Sequence, residues 1–251
     1  MVNFPLKRLI FSIILSFPLW IVLYAIFYIL TLIFLILTKL NNPAIGLDIE
    51  SFKNVLNPNS LAILTLLGFT QVLTYLLIVK FFFLNKFHLS WEKFGLTTEN
   101  VKKQFVLALK LWVIAETGGL LLDFLTVKLG WAPYGPGGPQ SPNNTQGPLL
   151  FIAFIFLGAV IAPLCEEIFF RGYIFKVLHS KYGFLIANVV SSLVFMSFHG
   201  ISLTNSPAHF LLGVLFAASF YKTGLLIPVM VSHSLFNTTS MILNYFQVRL
   251  Y

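Results

Sequence analysis

Long apolar stretches recur along almost the whole of this 251-residue chain, and they limit it to one kind of fold. A helix needs about 20 apolar residues to cross a hydrocarbon core of roughly 30 Å. The stretches, of which the fifth and sixth are short, are residues 9–37, 61–84, 105–127, 149–175, 184–198, 210–221 and 225–246. Because lipid offers the backbone no hydrogen-bond partners, such stretches cross as helices. The sequence therefore predicts an all-α, polytopic membrane helical bundle of about seven transmembrane helices, with a range of six to eight.

The composition excludes a soluble domain, since 58% of the residues are hydrophobic and only 10% are charged. A net charge of +8 could suggest nucleic acid, but the 16 Lys and Arg residues are scattered among the connections between stretches. We therefore expect the lipid bilayer, and no nucleic acid, as a partner. Lys7 and Arg8 precede the first stretch, which by the positive-inside rule places the N-terminus in the cytoplasm. The expected location is a bacterial plasma membrane.

One connection differs in composition from the others and divides the chain. Residues 131–148 contain five Pro and four Gly together with several amide and hydroxyl side chains, a mixture that holds neither helix nor strand. The prediction is an N-terminal membrane segment, residues 1–130, and a C-terminal segment, residues 149–246, that carries nearly all the candidate chemistry. The connection itself is either a flexible linker or a lid over a site.

Two adjacent acids, Glu166 and Glu167, lie inside an apolar stretch that otherwise has the composition of a spanning helix. One acidic residue at the centre of a membrane helix costs about 2.5 to 3.5 kcal/mol, and two neighbours also repel each other. Arg171 follows Glu167 at the i,i+4 spacing that permits an ion pair on one helix face. This pairing leaves Glu166 unexplained, so we predict that Glu166 is the centre of the chemistry.

Three further polar residues interrupt the later stretches: His199, His233 and Asn237. With a rise of about 1.5 Å per residue, and Lys176 as the cytoplasmic end of its helix, Glu166 lies roughly 15 Å deep. The same measure gives about 12 Å for His233, about 18 Å for Asn237 and about 24 Å for His199, which a helix tilt would reduce. Each residue alone could be a packing group, but together they supply a base, a partner for water and oxyanion donors.

Other polar groups are assigned structural roles. The single cysteine, Cys165, is expected to be a buried thiol rather than a nucleophile. Glu116 and Asp123 share a face of the third stretch, where Glu116 could line a cavity or pair with Lys80 or Lys110.

The remaining histidines are predicted to lie outside the polar cluster. His88 and His179 accompany basic connections and are expected at the membrane interface. His209 follows Pro207 and is expected to begin a helix, away from the depth of the cluster.

Three short motifs occur in order, each within an apolar segment: EExxxR at residues 166–171, FxxxH at residues 195–199 and HxxxN at residues 233–237. This set resembles the CAAX prenyl endopeptidase and bacteriocin-processing (CPBP, Abi) family of intramembrane glutamic proteases. The resemblance covers residues 149–246 and says nothing about the first three stretches. EExxxR alone would be a weak signal, whereas three ordered motifs make the resemblance specific.

The resemblance implies an intramembrane endopeptidase whose helices enclose a water-accessible cavity. In this chain, Glu166 and His199 would activate the water that attacks the scissile carbonyl. His233 and Asn237 would form the oxyanion hole. These roles agree with general chemistry, because a general base must reach the proton it takes and an oxyanion donor typically contributes a factor of about 100 to 1,000 in rate.

The resemblance also implies that Glu167, paired with Arg171, positions the motif helix. Attack by water requires no cofactor, and we predict none. Zinc is the alternative: the chain has no HExxH spacing, yet Glu166, His199 and His233 could ligate zinc if they converge.

Three functions compete for this pattern. The first is a protease acting on a membrane-tethered peptide or protein, with or without a lipid, such as a leader peptide. The second is a non-proteolytic membrane scaffold or bacteriocin-immunity protein with the same fold. The third is a transporter whose intramembrane Glu and His relay protons, which the absence of paired broken helices in two matching halves disfavours. The complete motif set favours the protease.

Overall fold

The structure is a computed structural model that describes residues 6–41, 61–85, 90–92, 94–130, 152–153, 155–199 and 206–245. Its helices are α1 (Leu6–Asn41), α2 (Leu61–Val79, extended by a π-helical turn, Lys80–Leu84), α3 (Val101–Lys128), α4 (residues 156–175), α5 (Lys176–Phe198), α6 (Ser206–Thr223) and α7 (Ile227–Tyr245). No strand occurs in these residues, so the all-α prediction is confirmed for them. The connection at residues 131–148 and His88 lie outside the described residues.

Four apolar segments in the described part of the chain are long enough to cross a membrane. They are Leu6–Leu37, Thr65–Leu84, Val101–Lys128 and Phe156–Phe198, the last including a break at Gly183. Their outer faces expose large apolar side chains, such as Phe34 at 67% and Leu185 at 72%. Such faces suit lipid rather than water. The chain is therefore a multi-pass membrane protein, while the count of seven spans stays a prediction.

Helix α4 is the central element, and its backbone changes type twice. A π-helical turn, Phe156–Ile161, leads into an α-helical piece, Ala162–Glu167, and a second π-helical piece, Ile168–Phe175. Every residue of this second piece is buried. Short π-helical segments inside α-helices are frequent at functional sites, because the extra residue changes the direction in which nearby side chains point.

Helix α4 continues without interruption into α5 as far as Gly183, where the chain changes direction. Gly183 has φ 78° and ψ 179°, a conformation that a residue with a side chain rarely adopts. Glycine at this position therefore allows the second half of α5 to return alongside α4.

The turn between α6 and α7 is hydrogen-bonded to the segment that precedes α3. The Leu226 amide donates a hydrogen bond to the Gly95 carbonyl at 2.9 Å. Phe94, beside Gly95, is completely buried, and the ammonium of Lys176 lies 5.1 Å from the centre of its ring. The α6–α7 turn therefore lies close to the level of Lys176.

The N-terminal helices form one wall around α4. The hydroxyls of Ser12 on α1 and Tyr173 on α4 are hydrogen-bonded at 2.8 Å. Tyr75 on α2 is stacked on Phe169, with ring centres 4.6 Å apart, and meets the edge of Phe170 at 5.7 Å. The opposite side of the bundle is closed by α3, which packs against α6 and α7.

Candidate active site

Three side chains from three helices meet at one carboxylate oxygen. Glu166, at the end of the α-helical piece of α4, is 6% exposed. Its Oε2 atom lies 3.6 Å from Nε2 of His199 and 3.8 Å from Nε2 of His233. The structure therefore brings together the acid and the two histidines that the sequence singles out, while their catalytic roles stay a prediction.

The depth estimate that separates His199 from Glu166 is wrong, and the reason lies in the helix end. The estimate ends the helix of Glu166 at Lys176, whereas the helix continues to Gly183. Glu166 precedes Gly183 by 17 residues and His199 follows it by 16. The two arms run antiparallel from that glycine, so the two side chains reach the same depth.

The predicted ion pair between Glu167 and Arg171 is present, and it is fully buried. Nη1 of Arg171 donates to Oε1 of Glu167 at 2.8 Å, and Nη2 donates to the Gly213 carbonyl of α6 at 3.3 Å. The guanidinium also lies over the rings of Phe195 and Phe216, at 4.5 and 5.3 Å. Charge-assisted hydrogen bonds and aromatic faces together compensate for the lost hydration of the cation.

Glu167 also fixes the ring of His233. Nδ1 of His233 lies 2.8 Å from Oε1 of Glu167, the same oxygen that binds Arg171. A carboxylate beside a guanidinium only accepts hydrogen bonds, so Nδ1 of His233 carries a hydrogen. In the neutral ring Nε2 then has a free lone pair, and this atom faces Glu166.

A hydrogen bond of Nδ1 orients the ring of His199 as well. Its Nδ1 atom lies 2.8 Å from the Phe195 carbonyl, which can only accept. In the neutral ring Nε2 of His199 is therefore an acceptor, as Nε2 of His233 is. The Nε2 atoms of His199 and His233 thus face the same carboxylate oxygen of Glu166, at 3.6 and 3.8 Å.

Asn237 lies one helical turn beyond His233 and contacts a different part of α4. Its Nδ2 atom donates to the Gly158 carbonyl at 3.0 Å. Because a carbonyl only accepts, this contact sets the orientation of the amide, and the second hydrogen of Nδ2 can still donate elsewhere. Asn237 thus ties α7 to the first π-helical turn of α4.

The prediction that His209 lies outside the cluster is wrong. Its ring is stacked on that of His199, with centres 4.5 Å apart and planes at 27°. His199 and Ser206, the first residue of α6, are only seven positions apart, so the first turn of α6 lies beside the end of α5. The sequence signal was present: His209, Gly213 and Phe216 have the i, i+4, i+7 spacing of one helix face.

Other polar residues have structural partners. Cys165 is buried, as predicted. Within the described residues, Glu116 is bound by Trp112, whose Nε1 donates at 2.9 Å, and by Thr239. These groups replace the lysine partner that the sequence suggests.

Comparison with known proteins shows which family the C-terminal segment is similar to. Residues 148–239 match the family model described as "Type II CAAX prenyl endopeptidase Rce1-like". All three motifs lie inside these residues. The family resemblance is confirmed over this segment. No solved structure matches the chain.

Two curated relatives support the same resemblance to CAAX-type membrane proteases. Over 112 residues, the chain is 36% identical to the "Membrane-embedded CAAX protease MroQ" of Staphylococcus aureus (strain USA300), covering 40% of this chain and 44% of the relative. Over 160 residues, it is 28% identical to YdiL of Bacillus subtilis (strain 168), provisionally named a membrane peptidase, covering 62% of this chain and 64% of the relative. The chain thus matches less than two thirds of the length of either relative.

The side chains that could bind a metal are the histidines, acids and cysteine near Glu166. Among residues whose placement the structure describes, no group of three His, Cys, Asp or Glu side chains has an arrangement that could hold a metal ion. The expectation of cofactor-free chemistry stays a prediction.

Proposed function

We propose that this protein is an intramembrane endopeptidase that hydrolyses a peptide bond of a membrane-associated substrate with water activated by Glu166 and His199. One observation carries the proposal: a buried carboxylate oxygen faces Nε2 atoms of two histidines that come from different helices. The curated names of the two relatives, a CAAX protease and a membrane peptidase, support the same reaction class.

The hydrogen-bond pattern explains why water suits this position. The Nδ1 atoms of His199 and His233 are committed to the Phe195 carbonyl and to Glu167. With His199 neutral, its Nε2 atom and Oε2 of Glu166 are two acceptors that require donors. A polar contact longer than about 3.5 Å often contains a bridging water, and a water with two hydrogens satisfies two acceptors at once.

The proposed reaction begins when Glu166 takes a proton from this water while His199 orients it. The resulting hydroxide bonds to the scissile carbonyl carbon, and the carbonyl oxygen becomes an oxyanion. Protonated Glu166 then gives its proton to the amide nitrogen of the leaving peptide, and the carbon–nitrogen bond breaks. The water proton therefore ends on the new amine, and the acid returns to its starting state.

His233 and Asn237 are proposed to stabilise the oxyanion. Asn237 has one amide hydrogen left after its bond to Gly158, and that hydrogen can donate. Since Nδ1 of His233 is bound to Glu167, its Nε2 atom donates only when the ring is an imidazolium. The Glu167 carboxylate stabilises that imidazolium, so the buried ion pair has a chemical as well as a structural role in the proposal.

The proposed substrate is a membrane-tethered peptide or protein, such as a leader peptide, with or without a lipid. The proposed setting is a bacterial plasma membrane with the N-terminus in the cytoplasm. Reporter fusions to the connections would test that orientation. A reporter active outside when fused before α1 would contradict it.

The decisive experiment compares membranes of cells that contain wild-type protein, Glu166→Gln or His199→Ala at equal abundance. Mass spectrometry of new peptide termini should detect products in the wild type that both variants lack. Loss of a general base typically lowers the rate by about 100-fold or more. If the three samples share one set of termini, the protease proposal is wrong and a non-proteolytic scaffold is the better description.

A further inference from the structure

We infer that His209, on α6, is a positioning residue that holds the imidazole of His199 against Glu166. The inference rests on the proposed function and adds a residue that none of the three motifs contains. His209 lies before the third motif and after the second, in a helix that the motif analysis leaves without a role.

The contact between His209 and His199 is a true ring stack. Their centres are 4.5 Å apart, and their planes are inclined by 27°. The ring of Phe195 also lies 4.5 Å from His199, while Phe195 and His209 are 6.4 Å apart. These three distances form a right-angled triangle with His199 at the corner. Phe195 and His209 therefore confine His199 from two different sides.

His199 needs this confinement more than the other histidine of the site does. Its side chain is 23% exposed, whereas that of His233 is 2% exposed. His233 is also anchored by the carboxylate of Glu167 on a neighbouring helix, whereas Nδ1 of His199 is bound to the Phe195 carbonyl of its own helix. Rotation of the His199 ring would move Nε2 away from Glu166, and a ring stacked on its face opposes that rotation.

The rest of the same α6 face contacts the site as well. Gly213 accepts the hydrogen bond from Arg171, and Phe216 packs against Arg171 and against the ring of His233, at 5.3 Å. With His209 these residues have i, i+4, i+7 spacing, so a single rigid helix face touches both histidines and the arginine. His209 is therefore positioned by the same helix, α6, that contacts Arg171 and His233.

The test replaces His209 in two ways and measures turnover. His209→Leu keeps an apolar side chain of moderate size but removes the ring, whereas His209→Phe keeps a ring that can stack. Loss of an aromatic pair of this kind typically changes a rate or an equilibrium constant by a factor of about two to ten. We expect His209→Leu to lower kcat by about twofold to tenfold with KM unchanged, and His209→Phe to restore most of the rate.

A matched control is His179→Leu, the same change at a histidine whose ring contacts Phe175 and Tyr221 instead. The substrate is a synthetic peptide spanning the cleavage site found by the comparison of membranes, assayed in proteoliposomes. If His209→Leu does not accumulate as folded protein, His209→Gln replaces it. Wild-type kcat in the ringless variant, a change in KM alone, or equal losses in the Leu and Phe variants would each overturn the inference.

Failure of this inference is distinguishable from failure of the proposed function. If wild-type and Glu166→Gln membranes have the same termini, the protease proposal fails. If Glu166→Gln removes a product that His209→Leu still forms at the full rate, only the role of His209 is refuted.

Discussion

Replacing Arg171 by Met should destabilise the protein severely, because it leaves a buried carboxylate without its cation. Met fills a similar volume, so the change removes the charge with little loss of packing. The side chain of Arg171 is 1% exposed and that of Glu167 is fully buried, so solvent hardly reaches the ion pair. Removing one partner of a buried ion pair typically costs about 3–5 kcal/mol, and here the carbonyl of Gly213 also loses its donor.

The double variant Glu167→Gln with Arg171→Met separates the charge effect from the packing effect. Without the carboxylate there is no uncompensated charge, and the Gln oxygen can still accept from Nδ1 of His233. Buried ion pairs are often replaceable by neutral groups at little cost. We expect the double variant to be more stable than Arg171→Met by about 1–3 kcal/mol.

The assay is equilibrium unfolding in mixed dodecylmaltoside and SDS micelles, followed by tryptophan fluorescence. Lys222→Met, an exposed cation at the end of α6, is the matched control. It should change the free energy of unfolding by less than about 0.5 kcal/mol. An Arg171→Met variant within about 1 kcal/mol of the wild type, where breaking a buried pair should cost several, would refute the reasoning.

Two further outcomes follow from the same geometry. Gly213→Ala should destabilise the protein by about 1–3 kcal/mol in the same titration, because a methyl group there would lie 2.7 Å from Cβ of Ser192 and push α6 away from α5; unchanged stability would contradict this close packing. Proteolysis by the purified protein should survive prolonged treatment with EDTA or o-phenanthroline, because the proposed reaction uses only Glu166, His199 and water. Activity that is lost on chelation and restored by zinc would show that metal is required.

Residue spacing within a helix predicts contacts of the site correctly. Contacts that depend on where the chain turns between helices are not predicted correctly. Glu167 and Arg171 are four positions apart, and helical geometry alone predicts their ion pair correctly. The relative depth of Glu166 and His199 depends on where the chain turns. That turn is at Gly183 rather than at the charged Lys176, and no count of apolar residues distinguishes the two positions.

His209 shows a second limit. A histidine at the beginning of a helix is usually a surface residue, and the one contrary signal in the sequence is its i, i+4, i+7 spacing with Gly213 and Phe216. Its position beside His199 depends on how α6 packs against α5, which is a tertiary contact. The face that it shares with Gly213 and Phe216 becomes informative only when those residues are known to touch Arg171 and His233.

The stacking of Tyr75 on Phe169, together with the Ser12–Tyr173 hydrogen bond, has a consequence for protein engineering. The polar groups of the site belong to residues 166–237, but the helix that carries Glu166 is held by side chains from the first 80 residues. Transplanting the C-terminal segment into an unrelated membrane scaffold would transfer the reactive groups without their supports. A functional graft would have to carry the matching surfaces of α1 and α2 as well.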